Sequence, residues 1–330
     1  MSQLSTRAEI IKLSRLLKLK EAQLTSLEKY EVAQLRDLRE RMSAALYDSS
    51  RPHLVRVAAA TKLIPVALIA AIGEKFYGPL LCARVTGLMS PERAAEVAGK
   101  LPATFLADLS IELDPRSAKE VIALLPASLV VTVAKEMLKR REHITMARFV
   151  DVLSDKVIRA VMDIIKDDRA LLEIAFFVES PDRLEALIGM IPEERLRSII
   201  VTAANDENNL WPEALSMMTQ VGDKLRGKMG DLTAALSDEQ LSSVMAAVER
   251  NGLWSAWVGV LSAMSTESQR RVLSLADVES PEALSALATA AKEHGLWNQL
   301  LPLLKFMNDA PRKQLEDLFE RIKSTVKNMG

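Results

Sequence analysis

The sequence is poor in the residues from which catalytic and metal sites are usually built. It has one cysteine, Cys82, and three histidines in 330 residues. A single cysteine excludes an internal disulfide framework and suits a reducing compartment. The histidines, His53, His143 and His294, lie far apart in the chain, and none stands in the close spacing that a zinc site would use. We therefore expect no metal and no cofactor.

Net charge is lacking as well. The 43 Lys and Arg residues balance 44 Asp and Glu residues, which leaves a formal charge of -1. A chain so balanced gives no global electrostatic reason to expect binding to nucleic acid or to an anionic membrane. The polar stretch from Met1 to Arg7 does not resemble the start of a signal peptide. We expect a cytoplasmic protein that does not bind nucleic acid.

Glycine is scarce too, at 12 residues, and alternating runs of β-branched residues are few. Both features leave little room for strands and tight hairpins. Hydrophobic residues nevertheless make up 49% of the chain, which is enough for a substantial core. The composition therefore predicts an all-α protein.

A four-residue phrase that ends in tryptophan occurs three times, at an interval of about 43 residues, which lies in the range of armadillo and HEAT repeats. The three copies are Asn208-Asn209-Leu210-Trp211, Asn251-Gly252-Leu253-Trp254 and His294-Gly295-Leu296-Trp297. Gly or Asn after a helix supplies the left-handed conformation that ends it, so each phrase predicts the turn of a helical hairpin. We interpret Trp211, Trp254 and Trp297 as structural anchors between hairpins, with an exposed binding role as the alternative.

Helix-start signals divide each interval into about three helices. Ser237-Asp238-Glu239-Gln240 and Thr266-Glu267-Ser268-Gln269 read as capping boxes, and Ser280-Pro281 places proline at a first helical position. Val178-Glu179-Ser180-Pro181 repeats as Val278-Glu279-Ser280-Pro281, so the same joint is used twice. The pattern predicts one continuous α-solenoid of short amphipathic helices, similar to an armadillo or HEAT superhelix.

The first 50 residues predict amphipathic helices. Thr6-Arg7-Ala8-Glu9 reads as a capping box that opens the first helix. An apolar stripe follows at steps typical of one helix face. It consists of Ile10, Leu13, Leu17, Leu24 and Leu27. Two interpretations stay open: the stripe is either the N-terminal cap of the solenoid or a surface for self-association into a homo-oligomer.

Residues 51–90 are strongly apolar. The run is interrupted by Lys62 and Pro65 and stops at Gly73, so it is too short and too broken to predict a transmembrane helix. It is either a pair of buried core helices or a surface that holds a lipid, a hydrophobic granule or a partner helix. The candidate residues for core or binding are Leu63, Ile64, Leu68, Ile69, Leu80 and Leu81.

Residues 91–200 contain a second sequence repeat, shorter than the first, and Asp114-Pro115 is read as a further helix start between two of its copies. The motifs on which the comparison below rests are Met89-Ser90-Pro91-Glu92-Arg93, Leu101-Pro102-Ala103-Thr104, Leu125-Pro126-Ala127-Ser128 and Ile191-Pro192-Glu193-Glu194. Over about a third of the chain this pattern resembles the superhelical N-terminal domain of the MgtE-type magnesium transporters, and more distantly the helical repeats of flagellar rotor switch proteins. The resemblance implies a regulatory helical-repeat fold. In that family the domain assists magnesium sensing beside a paired module and a membrane pore, and this chain has no pore.

Two patterns that could bind phosphate do not meet the full requirements. Gly222 to Lys228 has the glycine and lysine spacing of a phosphate-binding loop, but Met229 stands where Ser or Thr should bind Mg²⁺, and a helical segment precedes it. Asp163, Asp167 and Asp168 lack the last acidic residue of a diphosphate-binding motif. No nucleophile elbow is present, and Cys82 lies in an apolar helix. We expect a protein that is not an enzyme.

The sequence thus predicts four regions: residues 1–50, 51–90, 91–200 and 201–330, the last holding the three-helix repeats. The function that it favours is a non-enzymatic scaffold or adaptor, because solenoids expose extended surfaces that suit protein partners. The alternative is the binding of a lipid, a hydrophobic ligand or a hydrophobic granule through residues 54–88.

Overall fold

The structure is a computed structural model that describes residues 3–48, 51–205 and 209–327. Every regular element in these ranges is helical, which confirms the all-α class. The chain divides into two compact units, Met1–Arg183 and Leu184–Gly330. Ser49 and Ser50, at the end of the first predicted region, and Asn208 of the first tryptophan phrase lie outside the described residues.

The first unit consists of short helices joined by tight turns, with a π-helical turn at Gly73–Tyr77. Its helices are α1 (Gln3–Leu17), α2 (Val32–Asp48), α3 (Arg51–Ala60), α4 (Val66–Ile72), α5 (Gly78–Thr86), α6 (Pro91–Ala98), α7 (Ala103–Glu112), α8 (Lys119–Leu124), α9 (Ala127–Lys139), α10 (His143–Phe149), α11 (Asp155–Ile164) and α12 (Asp168–Phe176), and α13 (Pro181–Gly189) contains the boundary between the units.

The second unit has three helices between each tryptophan turn and the next. Its helices are α14 (Glu193–Ala204), α15 (Trp211–Gln220), α16 (Asp223–Ala234), α17 (Asp238–Arg250), α18 (Trp254–Ala263), α19 (Thr266–Leu273), α20 (Pro281–His294), α21 (Trp297–Leu300) and α22 (Asp309–Lys327).

Proline and serine set many of the helix starts, as the sequence predicts. The Ser237 hydroxyl accepts a hydrogen bond from the Gln240 N–H in a complete capping box, and the Ser280 hydroxyl accepts one from the Ala283 N–H. The helix predicted to begin near Thr266 does begin there, but its N-cap is Ser265 rather than Thr266, and the Ser265 hydroxyl accepts from the Ser268 N–H. Asp114-Pro115 does not open a helix: the Asp114 carboxylate accepts from the Arg116 N–H at 3.1 Å, which forms a turn before α8 begins.

The predicted capping box at Thr6 is also wrong, because tertiary contacts hold the Glu9 side chain elsewhere. Glu9 is buried in the middle of α1, where its carboxylate pairs with Lys12 at 3.3 Å and with Arg39 of α2 at 3.0 Å. Lys12 and Arg39 also contact Glu179, at 3.0 and 2.8 Å. Arg36 also pairs with Glu9, at 3.4 Å, and Arg116 with Glu179, at 3.3 Å. Two carboxylates thus share four cations inside the first unit, an arrangement in which loss of one carboxylate leaves cations unpaired.

The N-terminal stripe packs inside this unit. Ile10, Leu13 and Leu24 are buried with Leu35 of α2, and Leu17 and Leu27 pack against them in part. The side chains that we considered for self-association are therefore used within one chain rather than exposed to a second copy.

The tryptophans of the first two phrases lie in the core of the second unit. Trp211 and Trp254 are 2% and 3% exposed, and the Trp211 ring meets Trp257 edge to face with centroids 6.0 Å apart. Trp297 is half-buried and packs against Phe319. The left-handed residues expected in the turns are Asn209, Gly252 and Gly295, with φ of 46°, 62° and 67°. The burial of Trp211 and Trp254 is that of packing anchors.

Candidate functional site

An apolar cavity of about 310 Å³ lies in the first unit. Its wall is built from the helices between α3 and α11 together with the π-helical turn. Val57 of α3 and Cys82 of α5 contribute to one part of it, and Leu109 of α7 and Val133 of α9 to another. None of the described residues that line it carries a charge.

Hydroxyl groups in the wall are turned away from the cavity by their own helices. Ser110 donates to the Leu106 carbonyl at 2.7 Å, Thr86 to the Cys82 carbonyl at 2.8 Å, and Thr61 to the Ala58 carbonyl at 2.6 Å. These bonds satisfy three of the four hydroxyl groups in the wall, and the fourth belongs to Tyr77, which is 52% exposed. A ligand inside the cavity therefore meets mainly hydrocarbon. The cavity is therefore suited to an apolar chain and offers little that would recognise a sugar or a nucleotide.

Cys82 is the one residue of the wall with a reactive side chain. Burial raises the pKa of its thiol above the ordinary value, because the apolar surroundings disfavour the thiolate. A protonated thiol is a weak nucleophile. The geometry thus gives Cys82 a packing role in the cavity wall.

The mouth of the cavity lies beside the turn that joins α3 to α4. Ala60 and Tyr77 line the cavity and are themselves exposed to solvent. Arg93 of α6 reaches this turn and donates hydrogen bonds to the carbonyl oxygens of Thr61, at 3.2 Å, and of Ile64. A guanidinium that satisfies two carbonyls at once fixes the turn in place.

The apolar candidates of the sequence fall into two sets. Ile64, Ile69 and Leu81 line the cavity. Leu63, Leu68 and Leu80 point away from it and are 91%, 50% and 46% exposed. The segment is therefore neither wholly core nor wholly surface, because one side of it walls the cavity while large hydrophobic side chains on the other side meet solvent.

Arg93 was missed as a functional position, although the sequence carries a signal for it. Ser90-Pro91-Glu92-Arg93 recurs as Ser180-Pro181-Asp182-Arg183, and Arg183 makes the same kind of contact, with the carbonyls of Val150 and Leu153 at 3.0 and 2.9 Å. An arginine on the first turn of one helix thus caps the carbonyl end of an earlier segment. The Ser-Pro-acid-Arg spacing predicts this device.

The loop-like glycine pattern has a structural explanation in the second unit. The Gly222 N–H, which would face phosphate in a phosphate-binding loop, donates to the Glu185 carboxylate at 3.0 Å. Lys228 pairs with Glu193 at 2.9 Å. A Cβ on Gly227 would lie 2.2 Å from the Ala263 carbonyl oxygen, so this glycine permits close contact between α16 and α18. These residues are used in packing and ion pairs.

Comparison with protein-family models, curated proteins and solved structures finds no match to this chain. Among the described residues, no group of three or more His, Cys, Asp or Glu side chains is placed to hold a metal ion. One described helical stretch, Val66–Thr86, is long and apolar enough to be considered as a membrane span. The cavity beside that stretch is the site from which a function is best argued.

Proposed function

We propose that the protein binds a lipid or another ligand with a linear hydrocarbon chain, which enters the cavity of the first unit. The observation that carries the proposal is the combination of an uncharged wall with the hydroxyls of Thr61, Thr86 and Ser110 already bonded to backbone carbonyls. Pockets for small ligands are usually of ~300–1,000 Å³ and mainly apolar. The volume of about 310 Å³ lies at the lower end of that range.

The cavity opens to solvent at Ala60 and Tyr77, so an apolar ligand that enters it displaces water from an uncharged wall. Removing apolar surface from water is favourable, which supports an occupied cavity.

The size also limits the ligand. At ~30 Å³ for each heavy group, the cavity has room for on the order of ten chain carbons. Burying about ten methylenes at ~0.8 kcal/mol each gives roughly 8 kcal/mol, of which association consumes ~4 kcal/mol or more. The remaining ~4 kcal/mol or less corresponds to a dissociation constant of about 1 mM or weaker.

Titration of the full chain with the fluorescent fatty acid cis-parinaric acid tests the proposal, with native mass spectrometry of the purified protein to detect a retained lipid. In Ala60→Trp a large side chain stands at the mouth, and we expect it to weaken probe binding at least about tenfold by loss of chain contacts. Ala59→Trp is the matched control, because Ala59 is the exposed neighbour that does not line the cavity. Equal binding by the two variants, or no binding by the wild type, would refute the proposal.

A second candidate, a non-enzymatic scaffold for a protein partner, is favoured by the contact between Trp211 and Trp257, residues of successive repeats. Stacked repeats of this kind would form the predicted armadillo-like solenoid within the second unit. A partner recovered by the full chain from native lysate, with no lipid co-purifying, would favour this candidate. The predicted self-assembly and the relationship to the MgtE N-terminal domain stay predictions.

A further inference from the structure

Large exposed hydrophobic residues are concentrated on the helices that wall the cavity. Of the eleven such residues among the described side chains, six fall between Val55 and Leu80, and Val201 is the one in the second unit. Single exposed hydrophobic side chains are common on protein surfaces, but several within one short segment indicate an interaction surface.

These side chains alternate with the cavity wall in a regular way. In four adjacent pairs the first residue is exposed and the second lines the cavity: Leu63 and Ile64, Leu68 and Ile69, Phe76 and Tyr77, and Leu80 and Leu81. Leu68 of α4 and Phe76 of the π-helical turn are both exposed, whereas Ile72 between them lines the cavity. The outer side of the cavity wall is thus apolar as well.

Positive charge accompanies this outer side. Residues 52–88 hold four basic residues, Arg56, Lys62, Arg84 and Lys75, against one acidic residue, Glu74, although the whole chain is formally -1. Lys62 and Lys75 are exposed and directly precede Leu63 and Phe76, which are 91% and 80% exposed. Exposed apolar side chains next to lysines are typical of proteins that lie on anionic membranes, where the lysine ammonium remains at the headgroups.

The same segment is not built to cross a bilayer. Gly78 has φ of 71°, so the helical path is broken there. The uninterrupted part before it comprises the seven residues of α4 and the five of the π-helical turn, which together reach ~18 Å against the ~30 Å of a hydrocarbon core. Ala83 and Val85 of α5 are buried in the unit's own core. A surface association is the arrangement that the geometry allows.

We propose that the face formed by Leu63, Leu68, Phe76 and Leu80 with Lys62 and Lys75, here called the docking face, binds the surface of an anionic lipid bilayer. The docking face and the cavity mouth belong to the same short segment, since Tyr77 lines the cavity next to Phe76. An acyl chain would then pass between the bilayer and the cavity without crossing water. This inference rests on the proposed function, in which a lipid chain enters the cavity, and adds that the lipid comes from an anionic membrane.

Co-sedimentation of the full chain with vesicles tests the docking. We expect binding to vesicles of phosphatidylcholine mixed with an equal part of phosphatidylglycerol, little binding to phosphatidylcholine alone, and weaker binding as salt rises. Lys62→Glu with Lys75→Glu should lower the partition coefficient about tenfold or more. The control is Lys20→Glu with Lys29→Glu, which makes the same charge change at two exposed lysines outside the docking face.

The apolar contribution is tested in the same assay. Leu63→Ser with Phe76→Ser should weaken binding to the anionic vesicles, while Leu19→Ser with Leu38→Ser, at exposed leucines of the N-terminal region, should not. All the replaced side chains are exposed, so unchanged circular dichroism is expected of every variant. Equal binding to both kinds of vesicle, equal effects of the variants and their controls, or association of the docking face with a second copy instead of vesicles would overturn the docking.

The two proposals fail separately. A chain that binds cis-parinaric acid but no vesicles retains the ligand site and overturns the docking face. A chain that binds anionic vesicles, and whose affinity for cis-parinaric acid is absent or unchanged by Ala60→Trp, retains the docking face and overturns the ligand site.

Discussion

Gly227→Ala is the substitution for which the structure gives the sharpest stability prediction. A Cβ at this position of α16 would lie 2.2 Å from the carbonyl oxygen of Ala263 at the end of α18. The obstacle is backbone, which has no rotamer to change, so the two helices must separate by on the order of 1 Å. Overpacking of this kind costs about 1–3 kcal/mol, and we expect the upper end because two buried helices move.

Helix propensity opposes that cost. Alanine in place of glycine inside a helix stabilises it by roughly 0.5–1 kcal/mol, which leaves a net loss of about 2 kcal/mol for Gly227→Ala. Gly259→Ala is the matched control: Gly259 lies inside α18, and a Cβ there would meet nothing within 4 Å. The control should therefore gain the ~0.5–1 kcal/mol of propensity without the clash.

The tryptophans supply the assay. All four, Trp211, Trp254, Trp257 and Trp297, belong to the second unit, so their fluorescence reports on that unit alone. For a unit of this size a loss of about 2 kcal/mol lowers the unfolding midpoint by roughly 4–8 °C, and the control should raise it by ~1–4 °C. If the Gly227→Ala protein unfolds at or above the wild-type midpoint, the close contact between α16 and α18 is refuted. Residues Gly222 to Lys228 would then again be a candidate phosphate-binding loop.

Two further predictions concern the first unit. Burial raises the pKa of Glu179, but its ion pairs with Lys12 and Arg39 outweigh this and hold the pKa below its ordinary value; the stabilisation is therefore complete above the unfolded pKa of ~4.3 and is lost as pH falls through the folded pKa. In urea unfolding followed by circular dichroism, Glu179→Gln should cost about 3 kcal/mol near neutral pH and flatten the acid limb, whereas loss of stability with an unchanged acid limb would contradict this role. Arg93→Met should speed amide exchange around Thr61–Ile64 and weaken binding of cis-parinaric acid, since bonds to a charged donor contribute ~1.5–3 kcal/mol. Arg41→Met, at an exposed arginine paired within its own helix, is the control, and equal exchange in the two proteins would remove Arg93 from the site.

Local chemistry made part of the fold predictable. The caps at Ser237 and Ser280 form where the sequence places them, because the interaction links residues only three apart. The left-handed Gly252 and Gly295 follow from the same kind of local rule. Glu9 shows the limit: its spacing from Thr6 fits a capping box, yet its carboxylate pairs with Arg39, which lies on another helix. No local pattern distinguishes a carboxylate that caps from one that forms a buried ion pair.

The division of the apolar segment between cavity and surface follows from backbone geometry rather than periodicity. Helical spacing predicts faces only while the number of residues per turn stays constant. The π-helical turn at Gly73–Tyr77 adds residues to one turn, and the positive φ of Gly78 then redirects the chain, so helical spacing counted from Leu68 does not predict the exposure of Leu80. The sequence identified six apolar residues as one candidate group, and this geometry sends Ile64, Ile69 and Leu81 to the cavity wall and the other three outward.

Averaging over the chain likewise concealed the charge that supports membrane docking. The formal charge of -1 describes 330 residues together and gave no reason to expect an anionic membrane. A bilayer, however, interacts with the charges within about a Debye length of its surface, which is ~8 Å at physiological salt. On that scale Lys62 and Lys75 act with the exposed Leu63 and Phe76 beside them, and acidic residues on distant helices are screened. Net charge therefore excludes membrane binding only for a protein whose charges are evenly spread, and residues 52–88 are a stretch in which they are not.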